Sequence, residues 1–166
     1  MSLDATVGGA IANSYITQAA ATTYFTDRLY SSGWTAASSG DKDAALITAT
    51  HRIDQELFLG TKTSSTQALK WPRYLVPIPG EYYTYGLSYF ASDAIPQPIK
   101  DAVCELALFL LANDLLKPTG LENFKSLTVG PISMVMNQPV SAGQLPDQVY
   151  RLLRGLIIGA GEIVRA

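Results

Sequence analysis

Residues 92–112, SDAIPQPIKDAVCELALFLLA, decide the fold. Ile99, Val103, Leu106, Leu110 and Leu111 recur at helical spacing, and Pro98 comes early enough to sit in a first turn, where no intrahelical donor is lost. Ser92 and Asp93 supply a start signal ahead of Ala94, Ile95 and Pro96. The spacing predicts a helix running to about Leu116 and stopped by Pro118 and Gly120. Its second half, Leu106 to Ala112, is apolar on every face, whereas the first half keeps Lys100, Asp101 and Glu105 for solvent. A helix of that kind needs cover all round, so it is expected to be the central, most buried element.

The covering elements lie on either side. Thr17 is placed to cap a helix whose Ala21, Phe25 and Leu29 share a face and which ends at Gly33 and Trp34. After the break at Ser38, Ser39 and Gly40, the residues Leu46, Ala49, Ile53 and Leu57 form an amphipathic stripe, with Gly60 as the expected stop. Pro146 can open a last helix carrying Val149, Leu152, Leu153 and Leu156, which Gly155, Gly159 and Gly161 weaken. Phe124–Val129 and Ile132–Met136, either side of Gly130 and Pro131, predict a β-hairpin. Residues 61–93, broken by Pro72, Pro77, Pro79, Gly80 and Gly86, read as a long loop or a loop with short strands. The expected architecture is mainly α, a small bundle of about four helices around a central buried one with one β-hairpin. An extended N-terminal arm (1–13) precedes the single domain (14–157), and a C-terminal tail (158–166) follows it.

Composition narrows the function. The 166 residues carry 12 Lys and Arg against 14 Asp and Glu, a net charge of -2, which leaves no global basic field for phosphate. One His, one Cys and scattered acids make a metal centre untenable, so no metal and no cofactor is expected. His51, with Asp54 three residues on, reads as a partly buried or capping side chain, since no serine or cysteine sits in a nucleophile motif. Cys104 lacks basic neighbours and reads as packing. Neither GxGxxG nor GxxxxGK[ST] occurs, and no enzyme is expected. The longest apolar run is far short of the ~20 residues that span a bilayer, and the first ten residues resemble no secretory signal. A soluble protein of a reducing compartment, without membrane contact, is the expectation.

One cluster stands out. Trp71, Arg73, Tyr74, Tyr82, Tyr83, Tyr85, Tyr89 and Phe90 crowd the long loop. Aromatics beside cations can stack bases of single-stranded nucleic acid, and the same residue types anchor protein interfaces. Between Lys70 and Asp93, two cations (Lys70, Arg73) face two acids (Glu81, Asp93), which favours the protein interface.

The order of five segments carries a resemblance. NSYITQAAATTYFTDR (13–28), AALITATHRIDQE (44–56), GTKTSSTQALKWPR (60–73), SDAIPQPIKDAVCELAL (92–108) and SLTVGPISM (126–134) together resemble a phage family of DnaT-like single-stranded DNA-binding proteins. Their helical layout is in turn similar to the head-tail connector, or adaptor, proteins of tailed phages. That second likeness implies a structural virion protein at the neck of the particle, assembled in the host cytoplasm. Its implied partners are itself, in a ring of usually twelve copies, the portal protein and the next tail component, with DNA only passing through the lumen. The family label implies the alternative, single-stranded DNA binding by the Tyr-rich loop. The near-neutral charge favours the adaptor at this stage.

Overall fold

The computed structural model describes residues 2–83, 86–113, 126–129, 132–135 and 145–158. Five helices, α1 (Gln18–Thr26), α2 (Ser32–Ala36), α3 (Ser39–Ile53), α4 (Gln97–Ala112) and α5 (Asp147–Leu153), build the body. Six short strands join them: β1 (Thr61–Lys62), β2 (Arg73–Tyr74), β3 (Pro77–Tyr83), β4 (Gly86–Tyr89), β5 (Ser126–Val129) and β6 (Ile132–Val135). They pair antiparallel as β1–β2, β3–β4 and β5–β6. The protein is mainly helical, as expected, and the β5–β6 ladder matches the predicted hairpin over its described residues, Val129 opposite Ile132. The remaining residues of that hairpin and residues 159–166 of the tail lie outside the described residues, whereas the central helix closes at Ala112, short of the expected Leu116, with Asn113 as an extended C-cap.

α4 is the hub. It packs against α3 and α5 most extensively, and also against α1 and α2. Ile99, Ala102, Val103, Cys104, Leu106 and Ala107 are buried, together with Ala45, Leu46, Ala49 and Ile53 of α3 and Val149 and Leu153 of α5. The Thr17 cap forms where the sequence places it; Ser38, expected only as part of a break, caps α3; and α4 opens at Gln97 behind Pro96 without a side-chain cap, so Ser92 and Asp93 do not start it. Thr17 accepts from the Ala20 N–H, and Ser38 accepts from the Asp41 N–H while donating to the Asp41 carboxylate.

Three expectations are corrected. The first helix stops at Thr26, so Leu29 is exposed instead of continuing the Ala21–Phe25 face. Thr22, Thr23 and Thr26 each donate to a carbonyl four residues back, Tyr30 takes φ +59°, and Gly33 lies inside α2. α3 ends at Ile53, which leaves Leu57 exposed, and Gly60 serves a strand approach instead of a helix stop. Glu105 is buried, not solvated. Its carboxylate is forked by Arg28, with Nε 2.5 Å from Oε1 and Nη2 2.7 Å from Oε2, and accepts from the Tyr24 hydroxyl at 2.7 Å. Burial pushes that carboxyl up, but the hydrogen bonds from Arg28 and Tyr24 outweigh it and hold it below the usual glutamate range.

Residues 2–13 contain no helix or strand, yet they dock on their own chain. Asn13 and Ser14 donate to the Asp4 carbonyl, Ala68 donates to the Gly9 carbonyl, and Ala12 is buried.

Candidate functional site

The long loop folds from its arginine outward. Arg73 opens β2 with its guanidinium turned inward, donating to the carbonyls of Phe58, Leu59, Gly60 and Lys70. Four backbone acceptors are thereby satisfied. Gly60, at φ +71°, is required here, because a Cβ would run into the Tyr74 carbonyl and Val76. Trp71 packs edge to face on Phe58, ring centroids 5.7 Å apart. On its other flank, Asp54 accepts from the Tyr15 hydroxyl and from the Lys70 N–H.

These contacts sort the eight aromatic and cationic candidates. Trp71 and Arg73 lie inside the fold and act as its scaffold. Tyr74 and Tyr89 reach solvent, whereas Phe90 is half-buried against the core. Tyr82 and Tyr83 sit in β3, opposite Leu87 and Gly86, and Tyr85 lies outside the described residues. Tyr89 is opposite Pro77, three residues after Tyr74. The Cα path from Tyr74 to Tyr89 is therefore at most about 17 Å. Two apolar side chains missed in the sequence, Leu57 and Leu75, are also exposed in this region. Leu57 looks like the next turn of α3 in the periodicity, so only the helix end reveals it.

The lysines nearby bond to backbone carbonyls. Lys62, cross-strand from Arg73, donates to the Gln67 carbonyl, and Lys70 Nζ donates to the carbonyls of Gln55 and Glu56. Carbonyls solvate an ammonium without neutralising it, and among the described residues Lys62, Lys70 and Arg73 form no salt bridge, while Asp54 accepts from the Lys70 N–H. Burial holds the Arg73 guanidinium below its usual range, against the pull of Tyr15 and Asp54.

The other titratable candidates are placed elsewhere. His51 is exposed on α3, and Asp54 turns to Tyr15 and Lys70 instead of to it. Cys104 is buried in α4, and burial first, then Asp101 and Glu105, push its thiol up to about 12. Among the described residues no group of three or more His, Cys, Asp or Glu could hold a metal ion.

A family model described as "Putative DnaT-like ssDNA binding protein" matches residues 1–166. The chain belongs to this DnaT-like family. No curated protein and no solved structure matches it. The match overturns the adaptor expectation: the family that covers the whole DnaT-like chain is described by single-stranded DNA, not by a connector, and nothing supports a ring, a portal or a tail partner. The charge argument behind the adaptor weighed only the phosphate attraction. Stacking of bases on aromatic rings needs no net charge, so the net charge of -2 does not by itself decide against it.

Proposed function

We propose that this chain binds single-stranded DNA, without acting on it chemically, through the surface that carries Tyr74 and Tyr89. The observation that carries the reading is the family match over residues 1–166. The local geometry supports it. Two solvent-reaching tyrosines lie within a few residues of each other across paired backbone, and among the described residues Lys62 and Lys70, close to Tyr74 in the chain or ladder, form no salt bridge. Each base stacked on such a ring contributes about 1–3 kcal/mol, so one or two rings with a few phosphate contacts give modest, sequence-tolerant binding.

The test is fluorescence anisotropy with a labelled oligodeoxythymidine of about 20 nucleotides, long enough for one binding site. Saturable binding is expected, weaker for the corresponding duplex, and Tyr74→Ala should weaken it about tenfold. A folded wild-type protein that leaves the oligonucleotide anisotropy unchanged even at low salt would overturn the reading.

A further inference from the structure

The corner formed by Tyr74 and Leu75 spends structure on exposing apolar side chains. Leu75 has φ +58°, a region where an L side chain crowds its own backbone and where glycine or asparagine is the usual occupant. Burial does not compensate, because Leu75 is 69% and Tyr74 49% exposed. The chain on both sides is nevertheless pinned. Arg73 holds three successive carbonyls of residues 58–60, Gly60 leaves room for the Tyr74 carbonyl, and fully buried Val76 accepts from the Phe90 N–H. Folding alone would be served better by glycine at position 75. A strained, solvent-facing leucine on a rigid mount is a pattern that a ligand explains.

We propose that Leu75 is a wedge that enters between neighbouring bases of a single strand, while Tyr74 stacks on the base beside it. The inference rests on the single-stranded DNA reading and deepens it by naming the side chains that touch bases. An apolar side chain pushed into a base step must unstack it. A single strand resists that far less than a duplex does, so the wedge itself selects for the single strand. Lys62, opposite Arg73 in the same two-residue ladder, would meet a phosphate of the same strand. Rigid mounting matters because a preorganised tip loses little conformational freedom on binding.

Leu75→Gly separates this role from folding, and Tyr30→Gly is its control. Tyr30 has nearly the same backbone strain, φ +59°, is 91% exposed, and follows an arginine already paired with Glu105. Melting temperature and anisotropy with the labelled oligodeoxythymidine are read for the wild type, both glycine variants and Leu75→Met. Both glycine variants should melt at the wild-type temperature or a few degrees above it. Leu75→Gly should bind about tenfold more weakly, Leu75→Met within about twofold of wild type, and Tyr30→Gly like wild type. Undiminished binding by Leu75→Gly would overturn the wedge and leave the single-stranded DNA reading standing. A lower melting temperature for Leu75→Gly would overturn it too, by making the leucine a folding residue. Equal weakening by Tyr30→Gly would show a general backbone effect and likewise overturn it. No binding by the wild type would overturn both readings, and self-association sensitive to Leu75→Gly would then assign the corner to a protein contact.

Discussion

Two corners of the molecule hold a bulky residue at positive φ in water, Leu29–Tyr30 after α1 and Tyr74–Leu75 after β2, and in each an inward-turned arginine comes first. Arg28 donates to the Leu29 carbonyl and forks the Glu105 carboxylate, so its charge is spent inside the fold. Among the described residues, Arg73 donates to neutral carbonyls and to no carboxylate. The backbone device is the same, yet the first arginine meets a carboxylate and the second, among the described residues, meets carbonyls. An exposed aromatic is therefore a poor guide to a nucleic-acid surface until the partner of the nearest cation is known.

The largest expected effects on that contrast are in folding. Glu105→Gln should cost on the order of 3 kcal/mol in urea denaturation, because it leaves Arg28 without its counter-charge. The folded-state carboxyl lies below its ordinary 4.5, so its contribution is complete above about that pH and is lost as pH falls through the folded value. Glu105→Gln should accordingly flatten part of the acid limb of stability against pH. Arg73→Met should cost a similar amount, about 3 kcal/mol, by leaving buried carbonyls unpaired, but with the acid limb unchanged because carbonyls do not titrate. Equal pH profiles for the two variants would break the contrast.

Binding should discriminate next. Tyr74→Phe should keep affinity for a single strand within about twofold, since the ring and not the hydroxyl stacks, whereas Tyr30→Ala should leave it unchanged. A loss with Tyr30→Ala equal to that with Tyr74→Ala, measured by anisotropy, would move the surface to the other corner or to both. The smallest effect concerns salt. Two phosphate contacts, at Lys62 and Lys70, predict a slope of log K against log salt of about -1.4, and Lys62→Gln should flatten it by about 0.7. A slope several times steeper would place the phosphate contacts on a basic surface elsewhere.

The parts of the fold that obey a local rule were legible in the sequence. The Thr17 cap, the Leu46, Ala49 and Ile53 stripe of α3, the early proline of α4 and the β5–β6 pairing each depend on residues within a few positions of one another. What escaped depends on distant partners. Glu105 looks solvated until Arg28, 77 residues away, is brought to it. Leu29 continues a stripe on paper, and only the halt at Thr26 takes it off the core. Within the aromatic cluster, composition could not separate Trp71 and Arg73, which build the mount, from Tyr74, which stands on it. Leu75 carried no signal, because neither its backbone angle nor its exposure follows from residue type.

Cys104 gives the molecule an internal clock. It is the chain's single thiol, it sits fully buried at the middle of the hub helix, and its ionisation is pushed up to about 12. A thiol reagent at neutral pH meets neither access nor thiolate in the closed protein. Modification must wait for an opening that frees α4 from its neighbours, so its rate counts those openings in the wild-type chain. A ligand bound far from that helix would slow the count by making opening rarer, which turns one buried sulfur into a gauge of occupancy that needs no label on the DNA.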